Sequence, residues 1–152
     1  MDAGNMLGWS ANWAWALPLI VFTVVFHTYN LGLINAEVTN RLRSGRRLSV
    51  PLSVPTFLIG GTALSLTVLH GTEGIIWATA YRLLGAAPDY KSAMLYSLNA
   101  LTSYGHEELH LAPHWKMMGA LEALNGSILF GLTTAFLFNV IQKAWLQTRG
   151  EQ

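Results

Sequence analysis

The sequence predicts an all-helical membrane protein, and three observations support this fold class. Charged residues make up only 11% of the chain and apolar residues 52%, whereas about 25% of an average soluble protein is charged. Several apolar runs are long enough to cross the roughly 30 Å of a bilayer's hydrocarbon core as helices. Between the last two of these runs lies a half-length amphipathic segment that leads into a polar, glycine-containing strip.

The first membrane helix is predicted over residues 13–38. It follows a short polar N-terminal end at residues 1–12, which we expect outside the cell as a loose end. Pro18 falls in the first turns of this predicted helix, where a missing N–H matters least. His27 is polar within an apolar run, and such side chains usually face another helix. We therefore expect His27 to make a hydrogen bond between helices, and this first helix to lie at the periphery of the rest.

A basic loop at residues 39–51 sets the predicted orientation. It contains four arginines: Arg41, Arg43, Arg46 and Arg47. Short arginine-rich loops stay in the cytoplasm, so the N-terminus is predicted outside and the C-terminal end, residues 148–152, inside. The chain is thus expected to be a multi-pass protein of the plasma (inner) membrane. Because topology accounts for the arginines and the net charge is only +1, nucleic acid is not predicted as a partner.

A long second helix is predicted over residues 52–87. His70 and Glu73 are three residues apart, so they share a helical face and are expected to pair with each other or with a neighbouring helix. Trp77 and Tyr81 are expected to mark the outer membrane interface, where amphipathic aromatic rings are common.

The short segment between the long helices predicts a re-entrant structure. A helix is expected over residues 90–101 with Asp89 as its cap, followed by an irregular strip at residues 102–108 and a last long helix over residues 115–145. Irregular backbone at membrane depth is tolerated only when it is buried in protein or lines water. The strip is therefore either the wall of an aqueous path or an ordinary external loop.

The strip also carries a family resemblance. Its residues are Thr102, Ser103, Tyr104, Gly105, His106, Glu107 and Glu108. They resemble the signature Thr-Thr-x-Gly-Tyr-Gly-Asp of tetrameric potassium-channel-like pore-loop proteins, and the following Pro-His-Trp and glycine-containing last helix fit the same pattern. The resemblance covers roughly residues 52–145. In this sequence histidine replaces the signature tyrosine, and glutamates replace its second glycine and its aspartate.

The resemblance implies a pore domain at residues 52–147, with four copies of the chain around one axis. It assigns residues 52–87 to an outer helix, 90–101 to a pore helix, 102–108 to a selectivity filter and 115–145 to an inner helix. The expected partners are other copies of the chain, lipid and inorganic cations. No cofactor is expected, and no enzymatic activity.

Ion selectivity is expected to differ from that of the family. A carbonyl ladder needs backbone that alternates in handedness, which glycine adopts cheaply; Gly105 keeps one such position, but Glu107 occupies the second. We therefore expect weak or absent potassium selectivity. Four copies of Glu107 and Glu108 would form a carboxylate ring that attracts monovalent or divalent cations. The alternative is a closed, non-conducting scaffold with the same architecture.

A metal site is a further alternative. His106, Glu107 and His110 meet the pattern His-Glu-x-x-His, in which imidazole and carboxylate groups bind zinc. This would make the chain a membrane metal-binding protein or a zinc hydrolase. The protease motif needs a continuous helix, and Gly105 and Pro113 argue against one here.

Polar and glycine residues in the long helices are predicted to support the pore. They are Glu73, Glu122, Asn125, Gly126 and Gly131. Glu122 is a carboxylate within an apolar segment, and we expect it to brace the short helix or the strip. The two glycines are expected at hinge or close-packing positions of the inner helix.

Overall fold

The computed structural model describes residues 3–45, 53–105 and 109–149, and every regular element in those ranges is helical. The elements are α1 (Ala3–Gly45), α2 (Ser53–Leu83), α3 (Tyr90–Leu101), a 3-10 turn (Pro113–Trp115) and α4 (Lys116–Arg149). The chain divides into two compact units, one made of Met1–Val25 and His70–Leu129, the other of Phe26–Leu69 and Phe130–Gln152.

The first helix is longer at both ends than the sequence predicts. It begins at Ala3, so the expectation of a loose end over residues 1–12 is wrong where the chain is described, and Pro18 lies well inside the helix. It also continues to Gly45, which places Arg41 on a helix rather than in a loop. The guanidinium Nε of Arg41 donates to Glu37 Oε1 at 2.6 Å, a spacing of four residues that supports the last turns.

The short helix α3 has the predicted bounds, Tyr90–Leu101. The preceding turn is formed by Gly85, whose φ of 65° closes α2 with two hydrogen bonds, Gly85 N–H to the Arg82 carbonyl at 3.2 Å and Ala86 N–H to the Tyr81 carbonyl at 2.8 Å. This pair of bonds is a Schellman motif, which favours glycine at the left-handed position.

The core of the first unit is aromatic. Trp77, Tyr81 and Met118 are fully buried, together with Ala16 of α1. The rings of Tyr81 and Tyr96 meet edge to face, with centroids 5.5 Å apart. The expectation that Trp77 and Tyr81 mark a membrane interface is therefore wrong, because the face of α2 that carries them packs on protein.

The second unit contains the hydrogen bond predicted for His27. Its Nε2 lies 3.1 Å from Thr133 Oγ1, a residue of α4, and the imidazole is fully buried. Leu31, Leu66 and Leu69 form the apolar core beside it. The prediction of a bond between helices is confirmed.

Two helical stretches are long and apolar enough to cross a membrane. They are Trp9–Ser44, of 36 residues, and Pro113–Leu146, of 34 residues. Only 11% and 22% of their most apolar windows are buried within the chain, whereas the core helix of a soluble protein is mostly buried. The exposed apolar surface indicates a membrane protein.

Candidate functional site

The start of α3 is fixed by an aspartate cap. Asp89 accepts a hydrogen bond from the Ser92 backbone N–H at 2.9 Å and one from the Ser92 hydroxyl at 2.7 Å. These two bonds hold the pKa of the Asp89 carboxyl below its ordinary value, because both favour the ionised form. Arg82 secures the preceding turn by donating to the Ala87 carbonyl at 2.6 Å and the Pro88 carbonyl at 3.0 Å. The helix therefore begins at a position defined by polar contacts.

The end of α3 is closed by a second Schellman motif. Ser103 N–H donates to the Ala100 carbonyl and Tyr104 N–H to the Asn99 carbonyl, both at 3.0 Å. Ser103 takes the left-handed position with φ of 54°, where glycine is preferred because a side chain adds strain. The first residues of the predicted filter are thus also the C-terminal cap of the short helix.

The strip beyond the cap is non-helical and exposed. Gly105 has φ of 92°, so φ is positive at residues 103 and 105 and not at Tyr104 between them. Thr102, Ser103, Tyr104 and Gly105 are all exposed. The other three predicted filter residues, His106, Glu107 and Glu108, lie outside the described residues, as do two of the three predicted metal ligands; the third, His110, is exposed.

Glu122 of α4 connects the three helices of the first unit. The carboxyl is fully buried, and it accepts from the Tyr81 hydroxyl of α2 at 2.5 Å and from the Ser97 hydroxyl of α3 at 2.5 Å. Ser97 Oγ also lies 3.0 Å from the Gly74 carbonyl oxygen of α2. The predicted contact between Glu122 and the short helix is therefore present.

Counting hydrogens in this network defines the charge that it suits. Ser97 has one hydroxyl hydrogen, yet its oxygen contacts both Glu122 and the Gly74 carbonyl. All three contacts are hydrogen bonds when Glu122 is protonated: Tyr81 donates to Glu122, Glu122 to Ser97, and Ser97 to the Gly74 carbonyl. A neutral carboxyl is also far less costly to bury than an ionised one. The arrangement is a neutral clamp between helices.

Glu73 lies in the same unit. Its carboxylate is fully buried, and Oε2 lies 3.0 Å from the Nδ1 of His70. The predicted pairing of these two side chains along α2 is present, three residues apart on one helical face.

Two glycines of α4 allow close approach of α3. A Cβ atom at Gly126 would collide with the backbone carbonyl of Leu101, and one at Gly119 would collide with the Tyr96 hydroxyl. Gly126 is thus a close-packing position, as predicted. At Gly131 a Cβ atom would meet nothing within 4 Å, so no close neighbour among the described residues explains that glycine.

Asn125 joins α4 to α1. Its Nδ2 donates to Thr23 Oγ1 at 2.8 Å, and both residues are fully buried. Near the start of α4, Asn12 makes two further bonds: its Nδ2 donates to the His114 carbonyl at 2.6 Å, and its Oδ1 accepts from the Met118 N–H at 2.8 Å. The first helix is therefore bonded to α4 at two places.

Sequence reasoning missed four residues of this site: Asn12, Thr23, Tyr81 as a hydrogen-bond donor, and Ser97. A signal for Ser97 was present, since Ala93, Ser97 and Ala100 form a stripe of small residues on α3, which indicates close packing. For Asn12 the signal was weak, because the polar start of the chain obscured a helix that only tertiary contacts reveal.

Comparison with known proteins gave no match: no protein-family model, no curated protein and no solved structure matches the chain.

Proposed function

We propose that the chain is one subunit of a cation-permeable channel with a potassium-channel-like fold, in which four copies surround a central path. The observation that carries the proposal is the short capped helix α3, placed between two long helices and ending in an exposed, non-helical strip. The strip has positive φ at Ser103 and Gly105. A helix of this length followed by irregular backbone is typical of a pore helix and its filter.

The strip supports an ion path because its backbone is exposed. In a membrane, carbonyl groups that lack intrachain partners need water, ions or other protein groups. Four such strips around an axis would satisfy that need by offering rings of oxygen atoms to cations. The change of handedness along residues 103–105 is what a carbonyl ladder requires, although the cap at Ser103 accounts for its first step.

The buried clamp supports a fixed position for the strip. Glu122 holds α3 through Ser97 and α2 through Tyr81, while Gly126 brings α4 against the last residue of α3. An ion-selecting backbone must keep its position to within fractions of an ångström, and these contacts limit how far α3 can move.

Cation preference is expected to come from carboxylates. Glu107 and Glu108 follow Gly105 in the sequence, and four copies of each would create a strongly negative mouth. Hard oxygen ligands suit divalent cations such as calcium, and the absence of a second filter glycine argues against strict potassium selectivity. Together with the arginine-rich segment on the cytoplasmic side, this places the strip at the outer face of the plasma (inner) membrane.

A flux measurement tests the proposal. Purified protein in liposomes should pass potassium, sodium and calcium ions down imposed gradients, with little preference between the first two. Glu107→Gln should lower the ratio of calcium to potassium flux, because it removes four charges from the mouth. Glu37→Gln is the matched control, since Glu37 is exposed and pairs with Arg41 away from the strip. Absence of flux for every cation, in protein that remains folded, would overturn the proposal.

A further inference from the structure

We infer that α1 is a positioning element for the strip, acting through α4. Asn12 and Thr23 of α1 would fix the place of α4, and α4 in turn would fix the end of α3 from which the strip starts. The effect on ion flux rests on the function proposed above; the effect on the position of α3 does not.

Asn12 holds the beginning of α4. It is 2% exposed, and its single amide accepts from the Met118 N–H and donates to the His114 carbonyl. The first N–H groups of a helix have no partner within that helix and need an acceptor from elsewhere. Asn12 therefore acts as a cap supplied by another helix, which determines where α4 starts.

Thr23 holds α4 again two turns further along that helix. Its hydroxyl donates to the Leu19 carbonyl of α1 at 2.8 Å and accepts from Asn125 of α4. Asn12 and Thr23 are eleven residues apart, which is about three helical turns, so both lie on one face of α1. Ala16 on the same face is fully buried, and its small side chain lets α1 approach closely.

The second contact lies next to the strip. Asn125 precedes Gly126, and a Cβ atom at Gly126 would collide with the Leu101 carbonyl. Leu101 is the last residue of α3 and stands directly before Thr102. A displacement of α4 at Asn125 would therefore change the packing of the α3 end by direct contact.

The chemistry of Asn125 favours this role over simple packing. Its Oδ1 is buried and has no hydrogen-bond partner among the described residues. A buried polar atom without a partner is unfavourable, and an apolar side chain of similar size would avoid it. The contact that this amide makes to Thr23 is the gain that offsets this cost.

Thiol labelling tests the inference without any need for ion flux. The chain has no cysteine, so Leu101→Cys introduces a single thiol at a position that is 3% exposed. Thr23→Val removes the hydroxyl and keeps the shape; it should raise the rate of maleimide labelling at residue 101 about fivefold, the factor expected for one lost hydrogen bond. Asn12→Ala should raise it similarly and carries the test alone if Thr23→Val fails to fold.

Three controls separate positioning from general loss of stability. Thr23→Ser keeps the hydroxyl and should label at the original rate. Thr62→Val makes the same change at a buried threonine whose hydroxyl donates to the Leu58 carbonyl of its own helix, and should have no effect at residue 101. A second reporter, Leu66→Cys, is also 3% exposed and lies in the other unit; Thr23→Val should leave its labelling unchanged.

The outcomes are distinct. Unchanged labelling at residue 101 in both Thr23→Val and Asn12→Ala would overturn the inference, and so would an equal increase at residues 101 and 66. In liposomes, Thr23→Val should alter the ratio of potassium to sodium flux, while Thr62→Val should not. If no variant and no parent protein conducts, the proposed function fails, but the labelling result still decides whether α1 positions α3.

Discussion

At the scale of single residues, the strip combines one strained position and one relaxed one. Ser103 has φ of 54° and Gly105 has φ of 92°. A side chain in the left-handed region costs roughly 1–2 kcal/mol, which glycine avoids. The sequence identified Gly105 as a position that needs this freedom, but not Ser103, because the hydrogen bonds that close α3 are not visible in the residue pattern.

Ser103→Gly should stabilise the protein by roughly 0.5–1 kcal/mol, because relief of the left-handed strain exceeds the entropy that glycine adds to the unfolded chain. Gly105→Ala should have the opposite sign, since alanine is strained at positive φ. Denaturant unfolding in detergent, followed by helical circular dichroism, measures both. A loss of stability in Ser103→Gly would show that the serine side chain makes a contact worth more than its strain.

Glu122→Gln should change stability by less than about 1 kcal/mol, whereas Glu122→Ala should cost roughly 3–5 kcal/mol, the combined effect of two buried hydroxyls left without partners and of a cavity. The amide of glutamine can accept from Tyr81 and donate to Ser97, which reproduces the hydrogen pattern of a protonated carboxyl. The same unfolding experiment compares the two variants. If Glu122→Gln were as damaging as Glu122→Ala, the clamp would depend on negative charge and the neutral assignment would be wrong.

At the scale of elements, the bounds of α3 follow from the sequence more closely than those of α1. Asp89 and the turn at Gly85 carry recognisable end signals, and the predicted and observed helix coincide at residues 90–101. The start of α1 was predicted too late because its first residues are polar and glycine-containing; the buried bonds of Asn12 to α4 stabilise a helix that local propensity does not favour. Long-range contacts of this kind leave no periodic signal.

The junction of α3 and α4 provides a paired prediction. Gly126→Ala should destabilise the protein by roughly 2–3 kcal/mol, because the added methyl group forces α4 away from the Leu101 carbonyl. Gly131→Ala should stabilise it by about 0.5–1 kcal/mol, since a helical glycine with open space around it gains from alanine. Equal effects of the two substitutions on unfolding would contradict the close approach at Gly126.

The cap of α3 gives a pH dependence. The pKa of Asp89 is lowered in the folded chain by hydrogen bonds from Ser92, so its contribution to stability is complete above the ordinary value of 3.8 and is lost as pH falls through the lowered pKa. The difference in melting temperature between the parent protein and Asp89→Ala should therefore be constant near neutral pH and shrink in acid. A difference that grew as the pH fell would contradict the role of the ionised cap.

At the scale of the whole molecule, the sequence predicted the all-helical class and the order of long and short helices. It also predicted three individual contacts: His27 with a neighbouring helix, His70 with Glu73, and Glu122 with α3. It placed Trp77 and Tyr81 at a membrane interface, although they lie in the protein core, because an aromatic pair near a helix end has the same pattern in both environments. Burial depends on which face of α2 meets α3, and that is set by small residues and glycines distributed over three helices.

Assembly is the level at which the proposal is most exposed to test. Twenty-three large apolar side chains are exposed in the single chain, Leu95, Leu124 and Ile128 among them, and lipid or other copies of the chain must cover them in a membrane. The proposal divides this surface between the two. It requires in particular that the strips of neighbouring copies come together at a common axis.

The measurement that tests this most directly is a density map of the purified protein in lipid nanodiscs. We expect four-fold symmetry, with residues 102–105 of each copy facing the axis and cation density between them when calcium or potassium is present. A monomer or dimer whose strip lies on the outer surface, away from any symmetry axis, would contradict the central claim.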